Sequence, residues 1–381
     1  MTALPPSRVA ITSPDAFLAA VPHLLGFPPE RSIVLTGLAA TPAGRDELTL
    51  VQRFDIPPAD WSPEQLVEVS RNAMVPMVRA GSDTVIVAVF DHATPTAAGE
   101  LPERVLVDEL IGAADDAGLG IRDALYTDGT ARWSYGCTDP TCCPPTGRVI
   151  PDDVRTLIAA EFTAAGAAMA PSRDALAGEL APADPERPAR IAALITTAPE
   201  QGNALEAWRD ERIYRVHTVL SDRVPPTDVD CADVISALND IRVRDTVLWD
   251  LTQSPVDAHR ACTQLTDITR HAPDGHRAPV ATVLGLQQWM TGDGARARTA
   301  IDHALADQPE YSLAGLADAS LSHGLPPATW RDLMSAMPRE HCRHGQTSNP
   351  TAAAGPRLEA ASPAPAGPVL RPATRAPGLA S

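Results

Sequence analysis

Three thiols crowd one short stretch, Cys137-Thr138-Asp139-Pro140-Thr141-Cys142-Cys143-Pro144-Pro145, within seven positions. Soft thiolates bind zinc or iron, the latter also as iron–sulfur clusters. A structural zinc site wants four ligands, commonly in pairs spaced Cys-x2-Cys, and the adjacent Cys142 and Cys143 are awkward to seat on one ion. A fourth ligand would have to come from afar, such as His23 or His92. The second chemistry is a redox pair, Cys137 with Cys142 or Cys143. The structural alternative is a loop whose cysteines act as small apolar groups packed against Trp133. All three remain open from the residues alone.

Asp91 and Asp128 are the next candidates, each directly after a segment that reads as a strand. If those strands are parallel neighbours, the two carboxylates share the sheet edge where open α/β sheets bind ligands. There they could hold Mg²⁺ or act as acid and base. The structural alternative is local: Asp128-Gly129 is a turn signal, and Asp91 caps the segment after its strand. Elsewhere the chemistry is sparse. Neither Gly112 nor Gly118-Leu119-Gly120 has the spacing of a phosphate-binding loop. Ser82, Thr127 and Ser134 lack a nucleophile elbow. His341-Cys342-Arg343-His344 has metal-binding residue types, but it opens a stretch that reads as loose tail.

The hydrophobic rhythm outlines the helices and strands that carry these residues. Ser13-Pro14-Asp15 opens a helix, with a hydroxyl cap, a first-turn proline and an acid. Pro22 is expected to kink or end it, and Gly26 suits a left-handed cap. Strands are expected at 33–35, 48–54, 83–90 and 121–127, with 132–135 returning as a hairpin partner. The run Thr84-Val-Ile-Val-Ala-Val-Phe90 is continuously apolar, as in strands covered on both faces in parallel sheets. Helices are expected at 62–78 and 102–117. Strands alternating with helices imply βαβ units. Residues 8–150 therefore read as an α/β domain with a mostly parallel or mixed sheet and flanking helices.

From Asp152 the period changes to three and four. Residues 151–338 read as an all-helical domain of αα-hairpins, with successive amphipathic segments beginning at 152–169 and 203–220 and running to 328–337, among them 256–271. Leu284-Gly285, Ala297, Ile301, Ala304 and Pro309 fit one tetratricopeptide-like repeat, in which small residues let two helices approach closely. From 339 to 381 Ala, Pro, Gly, Ser and Thr dominate. Such a stretch cannot bury enough apolar area to offset its ordering entropy and reads as a disordered tail.

The chain has 381 residues and 44% hydrophobic content, enough for two cored domains. Its net charge is −17, from 48 acidic and 31 basic side chains, and every fixed cation is arginine. Such a surface repels phosphate backbones and anionic lipid, so nucleic-acid and membrane partners are disfavoured. The longest clean apolar run, Thr84–Phe90, falls far short of the roughly 20 residues a membrane-spanning helix needs. Pro5, Pro6 and Pro14 interrupt any signal-peptide core, so the chain is expected to be cytoplasmic with reduced cysteines.

Three phrases carry a family resemblance. They are Leu18-Ala-Ala-Val-Pro-His-Leu-Leu-Gly-Phe-Pro-Pro-Glu-Arg-Ser32-Ile-Val, the Trp133-Ser-Tyr loop with its cysteines, and Trp289…Gly292-Asp-Gly-Ala-Arg-Ala…Pro309-Glu-Tyr-Ser-Leu-Ala314 followed by Gly324-Leu-Pro-Pro. Together they resemble the actinobacterial family of domains of unknown function numbered 4192, over most of residues 8–335. The resemblance implies an intracellular actinobacterial protein and one conserved-length unit, and it assigns no activity and no residue a role. The residues leave two functions in view. One is a non-catalytic binding or scaffolding protein that meets a protein partner through its helical half, where stacked hairpins form concave surfaces. The other is an enzyme or ligand- or metal-binding protein working at the strand ends near the Cys137–Cys143 loop.

Overall fold

Hydroxyl caps start the first two crossing helices. Ser13 Oγ accepts the Ala16 N–H, and Ser62 with Gln65 forms a reciprocal capping box. The computed structural model describes residues 9–345 apart from 43, 94, 97–99, 166–168, 200–201 and 254–257. The tail expected to be disordered lies, from residue 346, outside the described residues, as does the expected start of the 256–271 helix.

The first part runs α1 (Pro14–Leu25), β1 (Ser32–Ala40), β2 (Asp46–Asp55), α2 (Pro63–Arg79), β3 (Thr84–Phe90), α3 (Arg104–Asp116), β4 (Gly120–Thr127), β5 (Ala131–Ser134) and β6 (Arg148–Val149). The six strands form one mixed sheet in the order β2-β1-β3-β4-β5-β6. Only β3 and β4 pair in parallel; every other ladder is antiparallel. The mostly parallel option is thereby set aside in favour of the mixed one. The reason lies in the connections. A tight polar turn folds β2 back beside β1, and the longer α2 crossover carries β3 to the other edge of β1.

Successive side chains of a strand point to opposite faces. Ile33 and Leu35 with Val85, Val87 and Val89 meet Met74 and Met77 of α2 and Leu106, Val107 and Leu110 of α3. Val34, Ala88, Phe90 and Leu125 meet Phe17, Leu18 and Val21 of α1 on the opposite side. Both faces of β3 are therefore covered, which accounts for its unbroken apolar run. Pro22 does not end the first helix. α1 continues through it to Leu25 and stops at Gly26, whose φ is 76°.

Among the described residues helices then succeed one another without further strands: α4 (Asp152–Ala164), α5 (Arg173–Gly178), α6 (Arg187–Ala192), α7 (Asn203–Ser221), α8 (Asp228–Asn239), α9 (Ile241–Gln253), α10 (Ala258–His271), α11 (Arg277–Met290), α12 (Gly294–Asp307), α13 (Ser312–Ser322), α14 (Pro327–Ala336) and α15 (Arg339–His344). α11 is the central post, buried on nearly every face from Ala278 to Trp289. A Cβ on its Gly285 would stand 2.8 Å from Ile301 Cδ1 and 3.1 Å from the Ala297 carbonyl of α12. That is the close approach expected from the small residues at these positions.

The helical part extends beyond 338. Arg343 of α15 donates to Asp210 Oδ1 at 2.6 Å and to the Glu206 carbonyl at 2.9 Å. Arg339 grips Asp250 with two bonds of 2.7 and 2.8 Å. His341-Cys342-Arg343-His344 is thus a docked helix with Cys342 buried, and it corrects the tail start expected at 339. No helix among the described residues is long and apolar enough to cross a membrane.

Candidate metal centre

The cysteine loop leaves β5 along the outside of β4. Ser134 pairs with Leu125, and the Tyr135 N–H reaches the Ala124 carbonyl at 2.8 Å, so the chain runs toward the N-terminal end of β4. Asp139 then winds the loop. Its side-chain Oδ1 accepts the Thr141 N–H at 2.8 Å, and its carbonyl accepts the N–H groups of Cys142 at 3.1 Å and Cys143 at 2.7 Å. This turn folds Cys142 and Cys143 back over Cys137. The three sulfurs lie within 4.8 Å of one another. Tetrahedral thiolates bound at about 2.3 Å stand about 3.8 Å apart, so closing the cluster by roughly 1 Å would seat an ion. The adjacency of Cys142 and Cys143 is therefore no bar to their meeting.

The far side of the loop holds Trp133. Its indole N–H donates to the Pro145 carbonyl at 3.1 Å. Gly147, at φ 78°, leaves its missing Cβ 2.4 Å from the ring. Cys142 is exposed, and Cys137 and Cys143 are half-buried. The Pro145 carbonyl and Gly147 are thus the loop's contacts with the indole.

The thiols border a cavity of about 640 Å³, shared with Asp123, Ser134, Arg104, Arg122 and Arg132. Ser134 Oγ donates to Asp123 Oδ1 at 3.2 Å. Arg104 spans the Tyr135 carbonyl at 2.9 Å and Asp108 at 3.1 Å. Arg132, buried, is ion-paired with Asp15 of α1. Hydrogen bonding from the Asp139 backbone N–H, then from the Cys143 thiol, holds Cys137 below the ordinary thiol range. Burial, with hydrogen bonds to its two neighbours, pushes Cys143 up to about 11. Cys137 is thus favoured as a thiolate, while Cys143 keeps its proton. These cavity partners were not singled out from sequence. Asp123 and Ser134 meet only through the β4–β5 register, which no local motif announces.

Asp91 and Asp128 do sit at neighbouring strand ends, since β3 and β4 are parallel and the Asp91 N–H bonds the Thr127 carbonyl at 3.1 Å. Their carboxylates do different work. Asp128 Oδ1 accepts the Thr130 and Ala131 N–H groups, both at 2.7 Å, and so builds the turn into β5. Asp91 Oδ1 accepts the His92 N–H at 2.9 Å. The acidic neighbour of Asp91 is Glu103, a residue not singled out from sequence, whose φ is 57°. Burial, and then the charge of Asp91, raise the Glu103 carboxyl above its usual range, against the opposing pull of Arg31.

The structure does not bring the two carboxylates and the three thiols together. The loop departs beside Ala124, whereas Asp128 lies four residues along β4, about 13 Å away at roughly 3.3 Å per residue. His92 stays with Asp128, its Nδ1 3.2 Å from that residue's carbonyl, and His23 stacks on Phe162. Among the described residues no histidine or carboxylate joins the thiol group as a fourth ligand.

No curated protein matches the chain, and no solved structure does. A family model does match, over residues 14–328, which takes in the sheet, the cysteine loop and the helices as far as the start of α14. The chain belongs to that family, a domain of unknown function designated DUF4192.

Proposed function

We propose that the chain is a cytoplasmic binding protein whose ligand is a soft metal ion, zinc foremost, held by the thiolates of Cys137, Cys142 and Cys143. The observation that carries this reading is the convergence of the three sulfurs within 4.8 Å on one side of a cavity of about 640 Å³. Three protein ligands and a fourth position open to a cleft is the pattern of zinc sites that admit an outside ligand. Bound there, the ion would supply a Lewis acid. The chain's own part is to prepare the thiolates. The Asp139 backbone favours ionised Cys137, and the Asp139 carbonyl fixes Cys142 and Cys143 through their N–H groups. A cytoplasmic setting keeps all three thiols reduced. Iron suits the same donor set, and elemental analysis separates the two metals.

Protein purified without oxygen is expected to carry one zinc per chain. Changing Cys137 or Cys142 to Ser should lower retention about tenfold or more, within the range typical of lost metal-site interactions. Cys262→Ser, outside the loop, should leave it intact. Fully folded, metal-free protein that takes up neither zinc nor iron would overturn the reading.

A further inference from the structure

The chain has six free cysteines in two environments. Cys231 and Cys342 are buried, and Cys262 is half-covered on α10. The other three share the loop, and of all six only Cys142 is exposed. An oxidant from solution therefore meets Cys142 first, with two further thiols within 4.8 Å of it. These two are not equivalent as partners. Bridged cysteines usually keep their Cα atoms about 4.4 Å apart or more, and neighbours joined by a trans peptide are only about 3.8 Å apart. The N–H groups of Cys142 and Cys143 are both pinned to the Asp139 carbonyl. A bridge from Cys142 to Cys143 would thus be a strained eight-membered ring. Cys137, five positions away across the Asp139 turn, is the favoured partner.

We infer that a hydroperoxide links Cys142 to Cys137 in a disulfide, and that this step dismantles the metal site. The metal consequence rests on the three-thiolate reading; the thiol chemistry does not. In the first step the Cys142 sulfur attacks the outer oxygen of R–O–O–H. The O–O bond breaks, the sulfur is oxidised to S–OH, and the thiol proton leaves with the alkoxide as R–OH. In the second, the Cys137 sulfur attacks the Cys142 sulfur and expels hydroxide, which takes the Cys137 proton and departs as water. Two thiols and one hydroperoxide give one disulfide, one alcohol and one water. Cys143 remains as a single thiol, too few donors to retain zinc.

Arg132 and Arg148 bracket all three cysteines, so trypsin releases them on one peptide. The full chain is treated with one equivalent of hydrogen peroxide, remaining thiols are alkylated, and this peptide is sequenced by mass spectrometry. The expected peptide has lost two hydrogens and carries its one alkyl group on Cys143. A zinc-loaded sample should release zinc to a chromophoric chelator in step with the disulfide. In Cys142→Ser the oxidation rate should fall about tenfold or more, since the accessible thiol is gone. An alkyl group on Cys137 or Cys142, a disulfide between chains, or unslowed oxidation of the Ser variant would overturn the thiol step. Zinc retained by disulfide-bearing protein would overturn the release step. A chain that never loads zinc yet forms the Cys137–Cys142 disulfide refutes the metal reading and upholds the thiol chemistry.

Discussion

At Gly147 a backbone φ of 78° and an indole ring 2.4 Å from the site of a Cβ leave room for hydrogen alone. Gly147→Ala would have to displace Trp133 or unwind the loop, and should cost about 1–3 kcal/mol in a denaturant titration, together with weaker zinc retention. An alanine variant as stable as the parent would show that Trp133 does not brace the loop. Asp128 offers the opposite test. Asp128→Asn keeps an oxygen for the Thr130 and Ala131 N–H groups while removing the charge, so metal retention should not change and stability should shift by less than about 1 kcal/mol. Loss of zinc in that variant would place Asp128 at the site after all. The three cysteines were legible because few residue types carry soft ligands. The Asp91–Asp128 pairing was legible as a shared edge but not as a site. Whether an aspartate binds a ligand or its own turn depends on where the next two N–H groups point, and residue spacing does not record that.

The elements were read correctly where one face or both must be apolar. β3, β4, α2 and α3 fall within a few residues of their expected bounds. Strand direction was harder. An unbroken apolar run reports that both faces are covered, and α1 with α2 and α3 covers them whichever way the neighbour runs. α15 was missed for a different reason. Its anchors, Arg339–Asp250 and Arg343–Asp210, join residues 89 and 133 positions apart, and no local window contains both ends. Arg343 is 3% exposed, so Arg343→Ala removes a buried guanidinium that bonds Asp210 and the Glu206 carbonyl and should destabilise the fold by about 1–3 kcal/mol. Amide exchange in 339–344 should quicken in that variant, and unchanged protection there would mean the helix docks by other contacts. Gly285 on α11 is the matching test of packing. Gly285→Val would drive two methyl groups into Ile301 and should cost about 1–3 kcal/mol, read as a lowered unfolding midpoint.

Over the whole molecule the helical part is laced with arginine–aspartate pairs that bias how its stability depends on pH. Burial alone would push Asp250 up, but hydrogen bonds from Arg339 and His217 outweigh it and hold the carboxyl below the usual range. The Arg187 and Arg190 guanidinium groups hold Asp228 low, and Arg190 does the same for Asp184. A carboxyl lowered in the folded state stabilises it at pH values above the unfolded pKa of about 3.9, and that contribution is lost as pH falls through the lower folded value. The denaturation midpoint should therefore be steady near neutrality and decline below about pH 4, more shallowly in Asp250→Asn. A midpoint that rises on acidification would contradict these pairs. None of this touches the thiol cluster, whose acid dependence comes from protons competing with metal at each sulfur. The convergence of Cys137, Cys142 and Cys143 on one ion is read most directly by X-ray absorption at the zinc edge of anaerobically prepared full-length protein. Three sulfur scatterers at about 2.3 Å and one lighter neighbour are expected. A shell of nitrogen and oxygen alone, or no bound zinc in folded protein, would contradict it.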